Sequence, residues 1–229
     1  MKDIFGQALS DYYYNSFTPP LLLHNEYGIP EEIPIERYFA KEGEYSLLEI
    51  YALEQFSGKV LDIGSATGRH ALHLQELGYD ITALDISASC GKLMHEMGVK
   101  KVIVDDIFNF NDHVYDTISM LINGIGIAGN ISGLKELLMR LKTMLQPAGQ
   151  LLNDTSDISY LYENIELPRD KYYGELSFNY EYKGVKGETF NWLYIDQQKL
   201  IEIANKCDWS CQVIFEDETE AYLARLQYK

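Results

Sequence analysis

The sequence predicts an α/β protein with a mostly parallel sheet covered by helices on both faces. Three observations carry this. From Gly58 onward, short apolar runs of strand length alternate with amphipathic helical runs. Two of the helical runs stop at Gly78 and Gly98, where a glycine can take the left-handed angles that end a helix. The chain has 229 residues, 46% of them hydrophobic, which is enough to cover both faces of such a sheet.

The elements follow in order. Residues 1–56 differ from the rest and form an N-terminal cap. They hold Tyr12-Tyr13-Tyr14 and four of the six prolines, Pro19, Pro20, Pro30 and Pro34. Prolines forbid one long helix, so short helices and loops are expected, then a helix near residues 45–56. Residues 57–229 form the main domain. Residues 60–63 read as its first strand, 69–77 as a helix, 81–84 as the second strand and 87–97 as another helix. Residues 102–104 and 117–122 are the third and fourth strands. Leu134, Leu137, Leu138, Leu141, Met144 and Leu145 make an apolar stripe at helical spacing. Pro147 and Gly149 are expected to stop that helix before a fifth strand at 150–153. Two tyrosine-rich runs, 175–183 and 188–195, are separated by Gly184-Val-Lys-Gly187 and read as a β-hairpin inserted at 173–195. Asp196 caps a helix running to Lys206. Residues 210–215 and 221–227 close the chain as an antiparallel pair.

Composition narrows the function. The formal net charge is −16, from 19 basic and 35 acidic residues, and no basic cluster is longer than Lys100-Lys101. Nucleic acid is anionic and selects basic surfaces, so it is not an expected partner. No apolar run reaches the ~18 residues of a membrane span, and the start of the chain lacks a signal-peptide pattern. A cytoplasmic protein is expected. Cys90, Cys207 and Cys211 are odd in number and scattered, which fits reduced thiols in or near the core. His70 and His73 share a helix face, but no acidic third ligand stands near them, so no metal is expected.

The chemistry gathers where the first strand meets the first helix. Gly64 and Gly68 let the backbone approach a ligand, and the helix start offers free N–H groups to an anion. Asp62 precedes the turn. Asp85 ends the second strand, where a carboxylate can accept two ribose hydroxyls. This spacing describes a site for an adenosine-containing ligand.

Val60-Leu-Asp-Ile-Gly-Ser-Ala-Thr-Gly68 resembles the first motif of the class I S-adenosylmethionine (SAM)-dependent methyltransferases, an acidic residue followed by three glycines at alternate positions. Here the middle glycine is Ala66, which is tolerable if its backbone angles are ordinary. Ala83-Leu-Asp-Ile-Ser87, Asp105-Asp106-Ile107 and Leu141–Leu151 match later segments of that family, so the resemblance covers about 56–154 and, more loosely, the last strands. It implies a doubly wound sheet of seven strands in the order 3-2-1-4-5-7-6, the last antiparallel. It further implies that Gly64, Ser65, Ala66 and Gly68 line the methionine half of SAM and that Asp62 contacts its amino group. Asp85 would hold the ribose with Ile86 against the adenine. Asp106 would accept from the adenine amino group beside Ile107, and Asn123 would bound the methyl-transfer pocket. Family members often close an N-terminal helix over SAM, which makes Tyr13 and Tyr14 candidates at the substrate side. Trp192 in the hairpin is a third, and packing roles are open for all three.

Methyl transfer asks for alignment and exclusion of water more than for acid–base groups. The residues therefore name no catalytic base, and no Asn-Pro-Pro-Tyr type motif marks a nucleic-acid or protein acceptor. The two tyrosine-rich segments favour a small-molecule acceptor, aromatic or cationic. A non-catalytic SAM-binding protein stays open. So does a nicotinamide-dependent oxidoreductase, although Gly64 and Gly68 fit its Gly-x-Gly-x-x-Gly fingerprint poorly.

Overall fold

The computed structural model describes residues 2–15, 19–111, 114–164 and 166–228. The chain begins with α1 (Ile4–Asn15), β1 (Leu21–His24), β2 (Glu31–Ile33) and α2 (Leu47–Glu54). The alternating part runs β3 (Lys59–Ile63), α3 (Arg69–Glu76), β4 (Asp80–Asp85), α4 (Ala88–Met97), β5 (Val102–Val104), β6 (Tyr115–Met120), α5 (Ile131–Thr143) and β7 (Leu145–Ser156). It ends with β8 (Glu175–Tyr182), β9 (Val185–Lys186), β10 (Phe190–Leu193), α6 (Gln197–Lys206), β11 (Trp209–Glu216) and β12 (Ala221–Tyr228). The larger sheet has the order β5-β4-β3-β6-β7-β12-β11, the expected 3-2-1-4-5-7-6. β12 runs antiparallel to both of its neighbours. A second sheet has the order β10-β8-β1-β2, with β9 on β8. The chain divides into two compact units.

The first unit comprises Met1–Tyr45, Asp62–Phe110 and Ser177–Phe190. Its cap is helical at α1, then forms two strands that were not expected, and short 3-10 helices follow at Ile35–Phe39 and Glu42–Glu44. Pro19-Pro20 ends any helix, and the apolar run Leu21-Leu22-Leu23 supplies strand formers that pair with β8 through Leu22↔Glu181 and Leu23↔Tyr180. The hairpin turn is also tighter than expected. Lys183 and Gly184 both have positive φ, 51° and 73°, and join Tyr182 to its partner Val185 as a two-residue turn. Gly187 therefore lies beyond the turn. A core of Ala8, Leu9, Leu21, Ile35, Cys90, Leu93 and Tyr182 joins α1, α4 and the second sheet. Gly6 makes the approach of α1 to α4 possible, because a Cβ there would lie 2.3 Å from Ser87 Oγ.

The second unit comprises Ser46–Leu61, Asn111–Leu176 and Asn191–Lys229. Ser46 and Glu49 form a reciprocal capping box that starts α2. Leu134, Leu137, Leu138 and Leu141 of α5 are fully buried, worth about 1.5–3 kcal/mol each in apolar burial. Pro147 and Gly149 do not separate α5 from the fifth strand; they lie inside β7. The strand accommodates them as an irregularity, since Leu145 pairs with Tyr115 and the next parallel pair is Gln150 with Thr117. Ala148, between them, has φ 66°. Asp196 caps α6 as expected, its Oδ1 accepting the Lys199 N–H at 2.8 Å. Trp209 of β11 and Tyr222 of β12, in the closing antiparallel pair, are fully buried.

Candidate functional site

In the first unit the chain leaves β3 through the turn 64–68. Gly64, Ala66 and Gly68 have φ of 74°, 52° and 76°. The Gly64 and Ser65 N–H groups donate to the Leu84 carbonyl at 2.8 and 3.2 Å, tying the turn to β4. Gly68 opens α3 with no side-chain cap, so the first N–H groups of the helix are left for an anionic ligand. Gly68 also has no room for a side chain, since a Cβ would lie 2.8 Å from Val99 Cγ2. Ala66 does not meet the condition under which its methyl group was tolerable. It occupies the left-handed region, which costs an L-residue roughly 1–2 kcal/mol.

Two buried carboxylates hold this turn. Ser65 Oγ donates to Asp62 Oδ2 at 2.7 Å. Asp85 accepts the Ala66 N–H on Oδ2 and the Ser87 N–H on Oδ1, both at 2.8 Å. The strained residue is thus fixed by the acid that ends β4. Burial pushes the Asp85 carboxyl above its ordinary value, and the two N–H groups pull against that rise. Ile86 is 67% exposed beside it, an apolar face open to a planar ring. Ile107 is buried. Asp106 Oδ1 accepts the Phe108 N–H at 2.9 Å and so braces its own turn.

The sequence reading missed Asp3. One of its oxygens accepts the Gly6 N–H at 3.0 Å, the capping of α1. The other accepts Ser87 Oγ at 2.6 Å and the Ser89 N–H at 3.1 Å. Burial raises this carboxyl, but the hydrogen bonds outweigh it and hold it below the usual range. The helix start was legible as an Asp three residues before a small residue; the partner more than eighty residues away was not. Tyr14 is not near Asp85. Its hydroxyl donates to Glu96, nine residues along α4 from Ser87, or ~13 Å at 1.5 Å per residue. Tyr13 stacks on Phe39 at 6.3 Å. His70 and His73 both meet the Tyr45 ring edge-on, and no metal-holding cluster exists among the described residues.

In the second unit, Ile122 and Asn123 follow β6 with φ of 59° and 52°. Consecutive left-handed residues, one of them β-branched, are strained. The Asn123 N–H donates to Asp154 Oδ2 at 3.2 Å, and its Nδ2 donates to the Leu193 carbonyl at 3.4 Å. Asp154, also missed by the sequence reading, keeps Oδ1 sealed from solvent with no hydrogen-bond partner. Burial pushes its carboxyl up to about 7, with the Glu49 charge adding to the rise and the Asn123 and Ile122 N–H groups opposing it. Trp192 rests on Gly126, where a Cβ would lie 2.0 Å from Nε1, so the indole packs on the segment after Asn123.

The family model described as tellurite resistance protein TehB matches residues 38–124. No curated protein matches the sequence. Among solved structures, a SAM-dependent methyltransferase from Bacteroides fragilis, in complex with S-adenosyl-L-homocysteine, is 35% identical with a TM-score of 0.91. That match covers 99% of this chain and 95% of the other. The CcbJ methyltransferase from Streptomyces caelestis is 15% identical with a TM-score of 0.63, over 79% of this chain and 92% of the other. CalS10, an amino pentose methyltransferase from Micromonospora echinaspora, is 12% identical with a TM-score of 0.57, over 79% and 87%. These last two share the fold.

Proposed function

The chain belongs to the SAM-dependent methyltransferases, and from that premise we propose that it binds SAM on the 62–68 turn and Asp85 and methylates a small-molecule acceptor. Membership sets aside the nicotinamide and non-catalytic readings and fixes the methyl donor. The observation that carries the donor site is the Asp85 carboxylate. It sits at the end of β4, buried, with one oxygen already holding the Ala66 N–H of the glycine turn and the other the Ser87 N–H at the start of α4. Each oxygen has a second lone pair, so the same group can accept two ribose hydroxyls. The open helix start at Gly68 suits the carboxylate of the donor's methionine part, with Asp62 and Ser65 toward its amino group. Ile86 offers the adenine an apolar face, and Asp106 and Ile107 complete its surroundings.

When bound, SAM supplies a methyl group activated on a sulfonium. The residues of this chain bind and orient; nothing in the 62–68 turn needs to move a proton. For the acceptor, the net charge of −16 opposes nucleic acid. An aromatic cluster supports an aromatic or cationic small molecule: Tyr180 and Phe190 of the second sheet, Phe5 of α1 and Tyr38 form a chain of rings with centroids 5.1–5.3 Å apart. Among the described residues, no helix is long and apolar enough to cross a membrane.

Two measurements test this. Replacing Asp85 by Ala should weaken S-adenosylhomocysteine binding in calorimetry by about 1.5–3 kcal/mol, the scale of a charged hydrogen-bond acceptor. Unchanged affinity would make Asp85 a brace of the turn and nothing more. Methyl transfer assayed over a panel of small metabolites should find an acceptor; turnover confined to protein or RNA would reject the small-molecule reading.

A further inference from the structure

Asp85 stands two residues before Ser87, the N-cap of α4. A helix start draws nearby carboxylates, because its first N–H groups lack partners within the helix. Asp85 is largely spared that duty. At α4 it takes only the N–H of the cap residue itself, on Oδ1 at 2.8 Å. The N–H groups inside the helix are met by others. Ser87 Oγ accepts that of Cys90 at 2.9 Å, and Asp3 Oδ2 accepts that of Ser89 at 3.1 Å. Asp3 Oδ2 also accepts the Ser87 hydroxyl at 2.6 Å. That hydroxyl has one proton, so a Ser87 committed to Asp3 has none to give to Asp85. Gly6 brings Asp3 within reach: its N–H holds Asp3 Oδ1 at 3.0 Å, and a Cβ on it would lie 2.3 Å from Ser87 Oγ.

On the premise, proposed above, that Asp85 holds the ribose, we infer that Asp3 is a positioning residue for the methyl donor. By occupying the start of α4 and the Ser87 proton, it leaves the second lone pair of each Asp85 oxygen open to a ribose hydroxyl. Asp3, Ala66, Asp85 and Ser87 all lie in the first unit. Burial raises the Asp3 carboxyl, but its hydrogen bonds lower it by more, so it stays ionised at neutral pH and only accepts. Asp85 is meanwhile held at both oxygens, by the Ala66 and Ser87 N–H groups at 2.8 Å. The ribose then meets a carboxylate already oriented, and less freedom is lost on binding. Without Asp3, the Ser87 hydroxyl and the Ser89 N–H lose their acceptor. Asp85 is the one acid left between β4 and α4, and it would be drawn to them at the expense of the ligand.

The test is a double-mutant cycle on the full chain, with S-adenosylhomocysteine affinity read by calorimetry. In the otherwise wild-type chain, Asp3→Ala should weaken binding about fivefold to twentyfold. Asp3→Asn, which keeps one acceptor oxygen, should fall between the two. In the Asp85→Ala background, Asp3→Ala should change affinity by less than about twofold, since no ribose acid is left to position. A role confined to holding α1 in place would lower affinity by the same factor in both backgrounds. Equal factors, including no effect in either, overturn the inference while the donor-site reading stands. An Asp85→Ala variant that binds as tightly as wild type overturns that reading and the inference together.

Discussion

Ala66 is the residue at which the sequence pattern and the backbone disagree. It stands where the family motif has glycine, and its φ of 52° is one that glycine adopts freely and alanine does not. The strain persists because Asp85 accepts its N–H at 2.8 Å. Ala66→Gly should therefore raise stability by about 0.5–1 kcal/mol in chemical denaturation, with the gain moderated by the greater freedom of glycine in the unfolded chain. A loss of stability would mean the methyl group packs favourably enough to offset the angle. Asp62, Gly64, Gly68 and Asp85, the residues proposed to hold the donor, stand out in the sequence because their spacing along the chain is short and such residue types suit a turn of this kind. The angle at Ala66 was not legible, because the letter alone does not report φ. Nor was Asp154, an ordinary acid in a strand until burial and a missing partner give it its character.

At the level of elements, α1 lies alongside α4 with the same direction. Asp3 meets Ser87 and Ser89 at the start of α4, and Tyr14 meets Glu96 near its end. Ser87 also donates its N–H to Asp85, so a chain of hydrogen bonds runs from α1 through Ser87 and Asp85 to the Ala66 N–H. Asp3→Ala should loosen α1 selectively. Amide exchange at 4–15 should speed up at least about tenfold, as for loss of a cap plus a charged contact, while β3 and β4 keep their protection. Equal loss across the first unit would show that α1 is not a separable element. The strand–helix alternation and the cap at Asp196 were readable from local signals. The pairing of β1 with β8 was not, because it joins residues such as Leu23 and Tyr180, far apart in the chain, and Pro147 with Gly149 looked like a stop when β7 absorbs both.

Across the whole molecule, the buried acids shape how stability depends on pH. The carboxyl of Asp154 has a folded-state value of about 7 against 3.8 when exposed. The native state thus holds this proton more tightly than the unfolded chain, and the associated stability is present at low pH and lost as pH rises through about 7. Glu202, held down to about 2 by Lys199 and Lys206, has the opposite sign, but it is exposed and its contribution is small. Asp154→Asn should flatten the stability profile between pH 5 and 8, and at pH 8 should exceed wild type by on the order of 1–3 kcal/mol. Parallel profiles for the two proteins would show that Asp154 titrates as an ordinary surface acid.

A crystal structure with S-adenosylhomocysteine tests most directly where the methyl donor lies. The expected result is a ribose whose two hydroxyls donate to the Asp85 carboxylate, with the ligand's carboxylate at the Gly68 end of α3 and its adenine on Ile86. A ribose lying away from Asp85, with that acid still engaged only by Ala66 and Ser87, would contradict it.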